Sequence, residues 1–193
     1  MHSSLYFKTS PNQGMKKIKL GIGTGRCGTV SLSKMIDAKH ELRPLLPWEK
    51  SLEPYQEHIK NMKMNRYVAF YYLPYLDEMF TDFDLRVVCL KRDREDTIES
   101  YLEKVPNENH WGQGNKSEWS KCYPTYDLKS KRKEIAKYYD EYYKKAREWE
   151  EKTDKFKVFP MDYLNTPWGQ QEIFEHLEIE SKEFKVYRYN ASD

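Results

Sequence analysis

Residues Gly21 to Leu32 read GIGTGRCGTVSL, and this stretch decides the fold. It begins in Lys17 to Ile22, a short apolar run that reads as a strand. It ends in Val30 to Ala38, where Leu32, Met35 and Ile36 share one side of a helix. Strand, glycine loop and helix are followed by more of the same alternation. A helix is expected from Ser51 to Met64, a buried strand at Arg66 to Tyr72 and a brief helix at Leu73 to Phe80. Leu85 to Leu90 (LRVVCL) is short, β-branched and flanked by charge, as in a central parallel strand. Asp93 can cap a helix from Arg94 to Lys104. Ile135, Tyr138, Tyr139, Tyr142, Ala146 and Trp149 step by three and four residues, marking an amphipathic helix over Leu128 to Lys152. Phe156 to Phe159 is the last strand, and Thr166 before Pro167 opens the last helix. The alternation predicts an α/β domain: a mainly parallel central sheet between helices on both faces, with a site at the strands' C-terminal ends.

Composition bounds the function. The 193 residues carry 33 Lys+Arg against 31 Asp+Glu, a net charge of +2, which excludes a basic nucleic-acid wrapper and an acidic tail protein. Lys129 to Lys133 (KSKRK) reads as a solvated helix start. The hydrophobic share is 38%, low for a domain, and 16 Tyr supply much of it, with rings expected to pack while hydroxyls stay near water. Residues 1–15 read as a flexible leader and 16–193 as a single domain. The N-terminus lacks a signal-peptide apolar stretch and no run is long enough to span a membrane, so a soluble, cytoplasmic protein is expected. Cys27, Cys89 and Cys122 are far apart and read as free thiols, and the five His show no metal-ligand spacing.

Two segments carry anion chemistry. Glycines between Gly21 and Gly28 permit a tight turn whose inward N–H groups can hold an oxyanion over Gly25 to Thr29. A phosphate loop of the kinase or ATPase kind ends in Gly-Lys-Ser/Thr, the lysine serving the phosphates and the hydroxyl Mg²⁺. Here Gly28 and Thr29 are adjacent, and the cation is Arg26. In the second segment Arg92 stands at a strand end and Ser100 follows eight residues later in the next helix.

With both segments in place, the chain resembles the sulfotransferases that use 3′-phosphoadenosine-5′-phosphosulfate (PAPS). GTGRCGTVSL is similar to the carbohydrate-type 5′-phosphosulfate loop, and Arg92 with Ser100 is similar to the family's 3′-phosphate motif. Val158 to Pro167 (VFPMDYLNTP) resembles a late strand and acidic-aromatic turn common in the family. The match runs from about Ile18 to Leu177. It implies the sulfotransferase version of the P-loop NTPase fold, three layers deep. It also implies PAPS as co-substrate, the bisphosphate PAP as product, and no metal. By the resemblance, Arg26, Gly28, Thr29 and Ser31 hold the 5′ side, with backbone from Gly25 and Cys27. Arg92 and Ser100 grip the 3′-phosphate.

Two departures matter. Many members have Lys at the position of Arg26; Arg is too weak an acid to protonate a leaving oxygen, so Arg26 is expected to stabilise charge electrostatically. Val30 replaces a hydroxyl residue of some relatives, which leaves more of the contact to Ser31. The acceptor hydroxyl needs a base, and relatives place a Glu or His just beyond the first helix. Glu41 is the first candidate, His40 the second and Glu49 the third. Val105 to Thr125 reads as a long loop, where His110 and an exposed Trp111 can meet a sugar or adenine ring, or Trp111 can pack on the body. The expected activity is metal-independent transfer of a sulfo group to a hydroxyl of a glycan or small molecule. The competing expectations are a nucleotide or small-molecule kinase with a degenerate P-loop and a non-catalytic nucleotide-binding module.

Overall fold

Ile18, Leu20 and Ile22 of β1 (Lys17–Ile22) have no solvent exposure, so β1 must be covered on both faces and paired on both edges. The computed structural model, which describes residues 14–45, 53–103, 111 and 118–187, shows how. Five parallel strands form one sheet in the order β2-β3-β1-β4-β5, with β2 at Lys39–His40, β3 at Arg66–Val68, β4 at Asp84–Lys91 and β5 at Phe156–Pro160. β1 pairs with β3 (Leu20 opposite Tyr67) and with β4 (Ile22 opposite Cys89).

Side chains alternate across each strand, which splits the core in two. Val88 and Leu90 of β4 pack with Leu32, Met35 and Ile173 of α1 (Thr29–Met35) and α6 (Pro167–Leu177). Val87 and Cys89 face the other way, into a cluster with Met79 of α3 (Leu76–Asp82), Ile98 and Tyr101 of α4 (Arg94–Glu103), and Tyr138 and Tyr142 of α5 (Lys131–Lys152). The sheet is therefore flanked by helices on both faces. After β1 the chain turns to one face and after β4, its neighbour, to the other. Loops that diverge in this way open a crevice at the C-terminal edge, where ligands of open α/β sheets bind.

Local signals explain most boundaries. Asp93 Oδ1 accepts from the N–H groups of Glu95 (2.8 Å) and Asp96 (3.1 Å), capping α4 as expected. Thr166 Oγ1 accepts from Gly169 N at 3.1 Å, with Pro167 in the first turn of α6. α1 is shorter than expected because Asp37, at φ 50°, takes the left-handed conformation that ends a helix. The expected helix over residues 51–64 is α2 (Glu53–Lys60), and α5 starts at Lys131 rather than at Leu128.

One element needs correction. Arg66 to Tyr72 is not all strand: pairing stops after Val68, and Phe70–Tyr75 is a 3-10 turn that leads into α3. The aromatic run turns away because Phe70 stacks on Tyr123 (4.6 Å between ring centres) and Tyr71 on Trp119 (6.1 Å), while Tyr142 Oη donates to the Phe70 carbonyl at 3.1 Å. Two elements also go beyond the expected loops: edge strand β2, and a 3-10 turn at Glu118–Cys122 within the expected 105–125 loop. Most of the expected leader, residues 1–13, lies outside the described residues, as do Glu49 and His110.

Candidate functional site

The loop after β1 is bent by two left-handed residues, Arg26 at φ 70° and Gly28 at φ 83°, on either side of Cys27. Such residues in a turn gather backbone N–H groups into a concave, anion-holding arrangement. A side chain at Gly28 would press on Leu164 Cδ1 at 3.0 Å and Met161 Cγ at 3.1 Å. Both belong to the VFPMDYLNTP segment, which thus packs under the loop. At Gly25 a Cβ would run into the Tyr101 hydroxyl and stand 3.0 Å from that of Tyr123. Only glycine lets the backbone lie this close to those two phenols. Cys27 faces inward, its Sγ donating to the Thr24 carbonyl at 2.5 Å, and burial pushes the thiol up to about 12. It stays protonated at neutral pH and is no nucleophile.

Three tyrosines of α5 hold this edge together. Tyr142 Oη accepts from Gly23 N at 3.0 Å while donating to Phe70 O, tying the loop to the 3-10 turn. Tyr143 Oη donates to Leu90 O at 2.7 Å and lies 3.3 Å from Thr24 Oγ1. Tyr139 Oη donates to Arg92 O at 2.6 Å. The hydroxyls were expected near water; instead they pair carbonyls at the ends of β4 and β3. Burying a carbonyl without a partner costs about 1–3 kcal/mol, which is why these tyrosines present oxygen as well as ring. Their spacing along α5 marks a buried face, but it carries no sign of the carbonyls they meet.

The structure brings the two anion segments into contact. Arg92 Nη1 donates to the carbonyl of Arg26 at 3.3 Å, a bond between residues far apart in sequence. Its Nε lies 3.9 Å from the Asp96 carboxylate. Both contacts are long, so the guanidinium is loosely held. Ser100 is half-buried one turn beyond Asp96, on the same face of α4. Among the described residues no hydrogen bond joins Ser100 to Arg92. The Arg26 guanidinium carbon is 6.0 Å from the centre of the Tyr101 ring. Thr29 and Ser31 are buried at the start of α1, and Val30 beside them is half-buried.

The two nearer base candidates differ in character. His40, in β2, has Nε2 3.4 Å from Thr29 Oγ1 and 3.7 Å from the Glu41 carboxylate. Burial, helped by the charge of Lys34, lowers its pKa to about 4, leaving a neutral ring and a weak base. Glu41 follows β2 in a left-handed conformation, φ 45°. Burial raises the Tyr123 phenol pKa, and on that phenol Glu41 and Arg26 act in opposite senses, the carboxylate raising it further and the guanidinium lowering it. Glu41 and Arg26 therefore share one neighbourhood around Tyr123.

Trp111 is 4% exposed, among Tyr123 (5.0 Å between ring centres), Tyr138 (5.1 Å) and Tyr101 (5.9 Å), so it packs on the body and offers no open stacking face. Tyr138, Tyr139, Tyr142 and Tyr143 are likewise buried. Arg132 of KSKRK is more than a solvated residue, since it pairs with Glu95 at 2.8 Å and with Glu99, joining α5 to α4. Among the described residues no cluster of three or more His, Cys, Asp or Glu could hold a metal ion, and no helix is long and apolar enough to cross a membrane. No known protein family matches the chain by sequence, and no curated protein matches it.

Proposed function

We propose that the protein is a PAPS-dependent sulfotransferase with the P-loop type of sulfotransferase fold, acting on a hydroxyl acceptor. The observation that carries this reading is the hydrogen bond from Arg92 to the Arg26 carbonyl. It joins two cationic segments at the ends of adjacent parallel strands β1 and β4, and a donor charged at two ends needs two anion holders so placed. The chemistry of these groups fits PAPS. Arg26, Thr29, Ser31 and the backbone from Gly25 to Gly28 would hold the phosphosulfate, and Arg92 and Ser100 the 3′-phosphate. A phosphate on Arg92 replaces its long contacts to Arg26 O and Asp96.

When bound, PAPS supplies the sulfo group. Glu41 takes the acceptor's hydroxyl proton as that oxygen bonds to sulfur. The bond between sulfur and the bridging oxygen breaks, and its electron pair stays on the 5′-phosphate of the bisphosphate product. Arg26 and the loop amides stabilise the charge gathering there, a contribution of about 3–4 kcal/mol for one such donor. His40, kept neutral by burial, orients Thr29 and the Glu41 turn.

Release of the bisphosphate from PAPS, followed across a panel of phenol, sugar and alcohol acceptors, tests the reading. It predicts acceptor-dependent release that Glu41→Gln abolishes. Release by no acceptor, together with metal-dependent ATP binding, would sink it in favour of a kinase.

A further inference from the structure

Tyr101 joins the two anion segments from within the core. It follows Ser100 directly in α4, the helix that begins just after Arg92, so its backbone and that of Ser100 move as one body. Its hydroxyl stands against Gly25 of the loop after β1, so close that a Cβ there would collide with it. One side chain therefore touches the segment assigned to the 5′ side while it is rooted in the helix assigned to the 3′ side.

Neighbours hold the ring from behind. Tyr123 meets it edge-on at 5.9 Å between ring centres and Trp111 lies at the same distance, while Tyr123 is itself stacked on Phe70 at 4.6 Å. Tyr101 Oη donates to Tyr123 Oη at 3.4 Å, which keeps the oxygen between a second phenol and the Gly25 backbone. Tyr101 is 3% exposed, and burial keeps its proton on, so a neutral oxygen in a fixed position meets the loop. Interiors packed this closely pass a displacement on instead of absorbing it. A second tie between the segments, the Arg92 bond to the Arg26 carbonyl at 3.3 Å, uses a group that the 3′-phosphate would take for itself. The Tyr101 contact uses none, and it persists when both anion holders are filled.

We propose that Tyr101 is a specificity-determining positioning residue: by holding Gly25 at a set distance from α4 it fixes the separation of the two anion holders, and so selects a nucleotide with phosphates on its 3′ and 5′ oxygens. This role rests on the sulfotransferase reading given above. Two anions on one molecule reinforce each other only where the geometry lets both holders engage at once. A phosphate on the neighbouring 2′ oxygen brings the same charge to a different place, and a loosened spacing would no longer tell the two apart.

Calorimetric titration of the full chain with adenosine 3′,5′-bisphosphate and with adenosine 2′,5′-bisphosphate, at one ionic strength, tests this role. The unchanged chain should bind the 3′,5′ isomer about tenfold more tightly, as for one charged hydrogen bond made in one isomer only. Tyr101→Phe keeps the ring and removes the oxygen at Gly25; it should bring the two affinities within about threefold, mainly by weakening the 3′,5′ isomer. A merely structural loss would weaken both isomers alike and leave their ratio in place. Equal binding of the isomers by the unchanged chain, or a preference that survives Tyr101→Phe, would overturn the role of Tyr101 while leaving the donor assignment standing. Binding of neither isomer would overturn the donor assignment, and the role of Tyr101 with it.

Discussion

Of the four non-glycine residues with positive φ among those described, Asp37 and Glu178 end helices, where the left-handed conformation is ordinary. Arg26 and Glu41 have no such excuse. Each holds a conformation costing about 1–3 kcal/mol, and each is a residue singled out from sequence for the chemistry, one as cation and one as base. Replacing Arg26 by glycine separates strain from function. Relief at φ 70° offsets the added freedom of glycine in the unfolded chain, so the Tm should stay within about 2 °C by calorimetry, while turnover falls by about two orders of magnitude. A large loss of Tm would show that the Arg26 side chain is a stability element instead. Arg92→Ala should weaken bisphosphate binding by about 1.5–3 kcal/mol, as for a lost charged hydrogen bond, and unchanged affinity would refute its 3′-phosphate role.

At the scale of elements, α5 is a template for the site. Its tyrosines reach three backbone segments: the glycine loop, the end of β4 and the 3-10 turn after β3. Tyr143→Phe leaves the Leu90 carbonyl unpaired in the core and should lower stability by about 1–3 kcal/mol, read as a shifted urea midpoint at constant m. A neutral result would mean that water reaches that carbonyl. The strands and helices were largely legible because apolar runs such as VVCL and the tyrosine spacing of α5 are local signals. Phe70 to Tyr72 misled because an aromatic run has strand propensity, while what bends it, the Tyr142 hydroxyl and the Tyr123 ring, comes from distant parts of the chain. β2 went unseen because two residues are too few to show any period, and β3 rather than sequence defines it.

At the scale of the whole molecule, buried histidines tie stability to pH. Burial lowers His58 from 6.5 to about 4, with Arg43 adding to the effect, and it lowers His40 and His176 as well. His40 is lowered to about 4 in the same way, by burial with the charge of Lys34 adding to it, so the two buried rings contribute alike. Between these values the unfolded chain binds a proton that the folded chain refuses, so stability is full above about pH 6.5 and falls toward pH 4. His58→Gln should remove about 1.4 kcal/mol per pH unit of that slope in urea titrations at pH 6.5, 5.5 and 4.5, and an unchanged slope would contradict the assignment. The α/β architecture was legible because alternating strands and helices force parallel crossovers, and Arg26 and Arg92 stood out because one is the cation of the glycine loop after β1 and the other follows the end of β4. The packing around the glycine loop was not legible: Gly25, Tyr101 and Tyr123 lie in three separate segments that only the fold gathers. The central claim is that two cationic segments, joined by the Arg92 bond to Arg26, form one donor site. Calorimetric titration with 3′-phosphoadenosine 5′-phosphate, beside Mg-ATP, tests it most directly. The account predicts metal-independent binding of the bisphosphate that Arg92→Ala weakens; binding of Mg-ATP alone would contradict it.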